Sequence, residues 1–324
     1  MKKILVTGGS GFIGANLVAK LVSDGFKIVN LDLNRPVHPE QVSLWRQVNI
    51  LDVEALRKEI KIFDPEVIIH LAAVTDLNGK TPDYYKANVQ GTQNMLTVAH
   101  ELPSLRKVLF TSSMYVCRPG YKPSNYDDYK PHTLYGESKV NGELVVKAIT
   151  GAKFEWTIIR PTSIWGPWFG IPYIDFFNIV YQGKYFDFGR ACTKTYGYIE
   201  NTIDQIMKLV WADNVNGRTF YLGDMPAIQI SEWADEISLA MGKGSIRKIP
   251  FLAMQMAALA GDLLGVAKIK FPMTSFRLSN MTTNNILPLD DLYEITGPSR
   301  ISRQDGVKAT IAWLAEHKGY QFKG

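Results

Sequence analysis

Short apolar runs alternate, over the first half of the chain, with longer segments whose apolar residues recur at helical spacing. Ile4 to Val6 is the first such run, and Lys27 to Asp32, Val67 to Leu71, Lys107 to Thr111 and Phe154 to Arg160 repeat it. Each predicts a strand, and each is separated from the next by enough chain for a helix, as in the apolar stretch from Phe12 to Leu21. Near-continuous apolar strands alternating with helices predict an α/β fold, a doubly wound parallel sheet covered on both faces. Ligands gather at the carboxyl ends of such strands. Thr7, Asp32, Leu71-Ala72-Ala73, Thr111-Ser112-Ser113 and Arg160-Pro161 are therefore expected along one crevice.

The pattern changes near Trp165. Trp168, Phe169, Tyr173, Phe176, Phe177, Tyr181, Tyr185, Phe186 and Phe188 crowd the next stretch between glycines and prolines, which predicts the start of a second lobe. The rings read either as a platform for a ligand or as the core between lobes. The alternation then returns briefly: Tyr198-Ile199 reads as a strand and Thr202 to Ala212 as a helix rejoining the main sheet. Helices near Ser231 to Met241, Phe251 to Leu264 and Gln304 to Glu316 fill the remainder. The expected division is a nucleotide-binding unit over 1–165, rejoined by about 196–213, and a smaller, mainly helical substrate lobe over 166–195 and 214–324.

Two segments carry chemistry. The first strand empties into Gly8-Gly9-Ser10-Gly11-Phe12-Ile13-Gly14, a turn whose glycines let backbone approach a pyrophosphate at a helix N-terminus. Asp32, at the end of the next strand, is where a carboxylate accepts hydrogen bonds from an adenosine ribose, and its charge disfavours a 2′-phosphate, so NAD is expected rather than NADP. The second segment is Tyr135-Gly136-Glu137-Ser138-Lys139. One helical turn separates the phenol from the ammonium, so both can face the crevice. A nearby positive charge favours the phenolate, which would make Tyr135 a base toward a substrate hydroxyl.

Composition narrows the field without redirecting it. The chain has 324 residues, 46% hydrophobic and 21% charged, and its net charge of +5 is spread without a basic block, so nucleic acid is not an expected partner. Cys117 and Cys192 are the two cysteines; without companion histidines they predict free thiols in a reducing cytoplasm and no metal site. A first strand starting at Lys2 leaves no room for a signal peptide. Phe251 to Leu264 is interrupted by Asp262 and falls short of the roughly 20 residues that span a bilayer; it reads as a core or interfacial helix.

The G-x-x-G-x-x-G spacing together with Tyr135 and Lys139 resembles the extended branch of the short-chain dehydrogenase/reductase superfamily, the NAD-dependent epimerase/dehydratase (nucleotide-sugar epimerase-like) family. His70-Leu71-Ala72-Ala73 and Asn88-Val89-Gln90-Gly91-Thr92 look like two more of its segments. Aligning Val116 with the family's Val-Tyr-Gly implies that Ser113 is the catalytic hydroxyl beside Tyr135 and Lys139. The resemblance also implies cofactor contacts at Gly8, Gly11, Phe12, Ile13, Gly14, Asp32, Asn49, Ile50, Leu71, Ala72, Ala73, Asn88, Tyr135, Lys139 and Pro161, substrate contacts at Thr75, Ser163, Trp165, Arg190 and Tyr196, and a homodimer. His70 and Asn88 read as structural ties.

Several positions depart from the family pattern. Asn49-Ile50 stands where Asp-Ile or Asp-Leu is common, leaving Asp52 to cap a helix over Val53 to Lys61. Met114-Tyr115 replaces the acid pair of the dehydratases, and a thioether cannot exchange that proton, which argues against water elimination. Ser163 replaces an Asn, and Tyr196 an Arg that pairs with the substrate diphosphate; Arg190 or Lys194 would have to stand in for it. The function expected is an NAD-dependent nucleotide-sugar epimerase, at C4, acting through a 4-keto intermediate. Alternatives are an NAD(P)-dependent dehydrogenase or keto reductase of a sugar or steroid-like alcohol, and a non-catalytic dinucleotide sensor.

Overall fold

The structure is a computed structural model that describes residues 2–171, 173–266 and 274–321. Its elements follow the alternation read from the chain: β1 (Lys3–Thr7), α1 (Phe12–Ser23), β2 (Lys27–Asp32), β3 (Trp45–Gln47), α2 (Val53–Phe63), β4 (Val67–His70), α3 (Thr92–Ala99), β5 (Lys107–Thr111), α4 (Leu134–Lys147) and β6 (Glu155–Pro161). Asp52 caps α2 by accepting a hydrogen bond from the Ala55 amide at 3.0 Å, satisfying one of the orphan donors of the first turn.

A second group follows: β7 (Ser163–Trp165), α5 (Tyr173–Tyr181), β8 (Phe186–Asp187), β9 (Thr193–Lys194), β10 (Tyr196–Tyr198), α6 (Ile199–Trp211), β11 (Arg218–Leu222), β12 (Ile228–Gln229), α7 (Ile230–Ala240), β13 (Arg247–Lys248), α8 (Phe251–Val266), α9 (Ser275–Thr282), α10 (Asp290–Thr296) and α11 (Arg303–Lys318).

Seven parallel strands form the main sheet in the order β11-β6-β5-β4-β1-β2-β3. The order reverses between β1 and β4, which opens a crevice at their carboxyl ends. Every residue of β4 is buried, and β1 is buried beyond Lys3, as expected of strands covered on both sides. Leu5, Leu31, Ile68, Val108 and Ile158 pack toward α2 and α3, while Ile4, Val6, Ile69, Leu109 and Ile159 pack toward α1 and α6.

The return to the sheet differs in detail from the sequence expectation. The Tyr198 region forms β10, which pairs with β7 in a separate two-stranded sheet, and α6 already begins at Ile199. The strand that rejoins the main sheet is β11, in register with β6 from Arg218 opposite Thr157 to Leu222 opposite Pro161. Buried Phe220, Tyr221 and Leu222 supply the reason, because the edge of β6 needs a two-sided apolar partner.

Of the aromatic stretch, Trp165, Phe169 and Phe177 belong to the core between sheet and lobe, with Phe176 stacked on Trp233 at 4.9 Å. The C-terminal helix α11 closes over this core: Trp313 and His317 lie against Trp168, and Trp168 in turn lies against His38 beside α1. Among the described residues no helix is long and apolar enough to cross a membrane.

Candidate active site

The turn after β1 is shaped by what its glycines exclude. Gly8 has a positive φ of 72°, and a Cβ there would lie 2.6 Å from the Ala72 amide nitrogen. A Cβ on Gly14 would sit 2.2 Å from the Gly8 carbonyl oxygen, so α1 can start this close to the turn only with glycine at that position. The side chain space at Gly11 opens outward, with a single neighbour at 3.4 Å. The result is a backbone cradle at a helix N-terminus, which is the shape a dinucleotide pyrophosphate requires.

Asp32 closes one side of this cradle. Its carboxylate accepts from the Ser10 amide at 3.0 Å and the Asn34 amide at 2.9 Å, fixing both oxygens while leaving lone pairs for a ribose. Ile50 is buried against Gly91, whereas the exposed Asn49 side chain accepts from the Leu51 amide at 3.0 Å. On the other side, the Thr7 hydroxyl bonds His70 Nδ1 at 2.8 Å and accepts from the Ala72 amide at 3.2 Å, tying Leu71-Ala72-Ala73 to the turn. Burial, with Lys139 adding to it, pushes His70 down to about 3, so the ring is neutral. Pro161 ends β6 at the same edge.

Asn88 sits in the wide turn Ala87–Gly91 before α3. Its amide accepts from Val74 N at 2.7 Å and donates to the Val74 carbonyl at 3.0 Å and to Ser138 Oγ at 2.9 Å. One side chain therefore fastens the segment after β4 to α4. Thr75, next along that segment, is exposed. Gly142 lets α4 approach, since a Cβ there would meet the Asn88 carbonyl at 2.9 Å.

Helix α4 begins at the Thr133 cap, whose hydroxyl accepts from the Gly136 amide at 3.0 Å. That start places Tyr135 and Lys139 one turn apart, both buried, with the ammonium 5.9 Å from the phenol ring centre. Gly136 is required there because a Cβ would lie 2.3 Å from the Tyr115 carbonyl. Ser113, after β5, accepts from the Tyr115 amide at 3.2 Å and lies close enough to Tyr135 to favour its phenolate. The three side chains thus converge at the carboxyl end of β5.

Electrostatics here are dominated by burial. It raises Tyr135 to about 12, against the lowering effect of Ser113 and with Tyr173 and Tyr85 adding to the rise. It also lowers Lys139 to about 8, against the pull of Glu143. The sequence expectation that the ammonium depresses the phenol is thus outweighed within the protein by loss of solvation. Lys139 Nζ donates to the Thr111 carbonyl at 3.0 Å and still has N–H groups to direct into the crevice.

Glu143, one turn beyond Lys139, pairs with Arg160. The guanidinium donates Nε and Nη2 to the two carboxylate oxygens at 2.7 Å each, Nη2 also to the Tyr126 carbonyl at 2.6 Å, and Nη1 to Tyr221 at 3.1 Å. Burial opposes the guanidinium charge, but Glu143 overrides it and the net shift is upward. This pair locks α4 to β6. Its signal in the sequence was the i,i+4 spacing of Lys139 and Glu143.

The other wall of the crevice is built of rings. Tyr115 and Tyr85 each lie 6.0 Å from Tyr135. Tyr173, near Ser163, lies close enough to perturb both Tyr115 and Tyr135. Tyr196 is 5.0 Å from Trp233 and within electrostatic reach of Tyr173, Tyr115 and Tyr185. Tyr173, read from sequence with both a platform and a core open to it, and Tyr115, read there only as standing where dehydratases carry an acid, join this group. Trp165 is packed inside the core, 5.0 Å from Trp233, and Arg190 lies 4.5 Å above Phe251, away from this cluster of rings. Cys117 and Cys192 are free and buried.

Comparison with known proteins follows the same lines. The model of the NAD dependent epimerase/dehydratase family matches residues 4–176. The chain is 30% identical to a 3 beta-hydroxysteroid dehydrogenase/Delta 5→4-isomerase of Mycobacterium tuberculosis, over 74% of this chain and 70% of that one. It is 29% identical to the N-acetyl-alpha-D-glucosaminyl-diphospho-ditrans,octacis-undecaprenol 4-epimerase of Escherichia coli, over 76% and 73% of the two chains. Among solved structures, the UDP-glucose 4-epimerase of Thermotoga maritima superposes with a TM-score of 0.74 at 20% identity, covering 97% of this chain and 99% of that one.

Proposed function

The chain belongs to the NAD-dependent epimerase/dehydratase family, and from that premise we propose that it is an NAD-dependent epimerase acting at C4 of a nucleotide sugar. The observation that carries the proposal is the convergence of Ser113, Tyr135 and Lys139 at the carboxyl end of β5, with Tyr135 and Lys139 one helical turn apart and both buried. A cradle that a Cβ at Gly8 or Gly14 would fill fits a dinucleotide. Gly8, Gly11, Phe12, Ile13 and Gly14 would hold its pyrophosphate, Asp32 a ribose, Asn49 and Ile50 the adenine, and Leu71 to Ala73, Asn88, Lys139 and Pro161 the nicotinamide half.

NAD, when bound, supplies the acceptor for a hydride from the carbinol carbon and the donor that returns it to the opposite face. The protein's part is proton movement and orientation. Ser113 holds the substrate oxygen, Tyr135 as its phenolate takes the hydroxyl proton and later gives it back, and Lys139 stabilises the phenolate before the first of those events and after the second. With its pKa lowered to about 8, Lys139 remains charged at neutral pH. Met114 and Tyr115 offer no carboxyl pair for water elimination. Thr75, Ser163 and Tyr196 would flank the sugar and diphosphate, with Trp165 backing Tyr196 through Trp233.

One feature favours a second reading. The tyrosines at 115, 173 and 196 make a wall suited to an apolar alcohol or ketone, as a net dehydrogenase or keto reductase would need, and one relative is named for a hydroxysteroid substrate. Mass spectrometry of cofactor released from the purified protein, with chromatography of UDP- and GDP-sugars before and after incubation, separates the two. Retained NAD with isomerised sugar supports the epimerase. Loosely held cofactor and NADH formed only with an added apolar alcohol would replace it with the dehydrogenase.

A further inference from the structure

Helix α8 is apolar but for a line through Gln255 and Asp262, yet lies at the surface. Phe251, Met254 and Ala258 pack toward Phe188, Phe186 and Leu278, which uses one face. The opposite face holds Leu252, Met256, Leu259 and Leu263, exposed by 68%, 65%, 61% and 74%. Their spacing of four, three and four residues aligns them in one stripe about 16 Å long. A helix this apolar is ordinarily enclosed by protein or by lipid, and among the described residues nothing encloses this one.

Charge identifies what covers the stripe. Arg247 and Lys248 are exposed on β13, immediately before the helix, and the exposed Arg190 lies over Phe251 at its first turn. Cations at a helix N-terminus oppose the helix dipole, so this placement does not serve the helix itself. Asp187, opposite Lys248 in register, and Asp235, which accepts from the Ile246 amide at 2.7 Å, offset part of this charge, and Asp262 lies toward the far end of the helix, so the cations at its start stay in excess. Four side chains expose a few hundred Å², well below the roughly 800 Å² per partner that a stable dimer buries. An apolar stripe of that size beside a cationic segment matches the interfacial region of an anionic bilayer.

We propose that α8 docks the protein on anionic lipid surfaces, lying in the plane of the membrane with Leu252, Met256, Leu259 and Leu263 inserted and the cationic segment before the helix, Arg247-Lys248, at the headgroups. Neither epimerase nor dehydrogenase chemistry is needed for this, and its failure would leave the active-site reading untouched.

Co-sedimentation of the full chain with vesicles tests it, using phosphatidylcholine alone and phosphatidylcholine with a quarter phosphatidylglycerol. Wild type should pellet with the anionic vesicles, less so as salt rises. R247E/K248E and L252Q/M256Q/L259Q/L263Q should each lower partitioning by about tenfold while NAD binding is kept. Absence of pelleting by wild type at low salt would overturn the proposal. So would pelleting that both variants retain, or a wild-type dimer in light scattering that the glutamine variant abolishes without any lipid binding.

Discussion

The two walls of the crevice are built by different physics. On the nucleotide side, between the turn after β1 and the start of α4, position is set by hydrogen bonds and by glycines that tolerate no Cβ: Asp32 to two amides, Thr7 to His70 and Ala72, Asn88 to Val74 and Ser138. On the opposite side Tyr196 packs on Trp233 at 5.0 Å and Tyr115 lies against Tyr135 at 6.0 Å, with Tyr173 nearby, and loss of solvation rather than hydrogen bonding dominates these rings. A polar framework of that kind fixes one ligand tightly. A wall of rings fixes shape and leaves polarity open, so one scaffold can keep its cofactor while substrates diverge.

The largest effect should come from breaking the polar framework at its deepest point. Arg160→Met removes the guanidinium from the buried Glu143, leaving it the Tyr129 hydroxyl at 2.9 Å and Lys147 at 3.7 Å, and the expected loss is about 3 kcal/mol of stability in denaturant unfolding. A variant within about 1 kcal/mol of wild type would mean the pair does not anchor α4.

Next is the cradle itself. In Gly14→Ala the new Cβ meets the Gly8 carbonyl at 2.2 Å, forcing the turn open at a cost of about 1–3 kcal/mol. NAD affinity measured by calorimetry should fall by about tenfold or more. Unchanged affinity would separate the glycine turn from the cofactor.

Changes on the ring side should spare the cofactor. Tyr196→Leu should raise KM for the substrate by about tenfold with NAD retention unaltered, so a joint loss of both would erase the distinction between the walls.

The smallest effect is one of pH. His70 is held near 3 in the fold against 6.5 in the open chain, so the unfolded chain takes up its proton first as pH falls. The neutral ring's contribution is full above 6.5 and is lost as pH drops toward 3, at up to about 1.4 kcal/mol per unit. His70→Asn should lower that slope, by under about 1 kcal/mol between pH 7 and 6, in unfolding measured across that range.

What the chain disclosed in advance follows the same division. The strands from Ile4 to Arg160, the glycine turn, the Asp52 cap and the Tyr135/Lys139 spacing were legible because each is local: an apolar run, a φ or a Cβ that only glycine permits, an i,i+4 pair. The β10 pairing with β7, and β11 as the returning strand, depend on which distant edge is left open, and no short segment records that. Which side Tyr173 faces was hidden for a related reason, and Tyr115 was read only through the acid it replaces. Rings in an aromatic-rich stretch look alike until the fold separates those that line the core, such as Trp165 and Phe177, from those that reach the crevice. The exposed face of α8 was invisible too, since an apolar helix reads the same whether enclosed or bare.

The central claim is that Tyr135 moves the substrate proton from a position set by Ser113 and Lys139. Tyr135→Phe, assayed for turnover alongside calorimetric NAD binding, tests it most directly. Turnover should fall by at least about a thousandfold while NAD affinity stays within a few-fold of wild type. Turnover near the wild-type rate with NAD still bound would contradict the account.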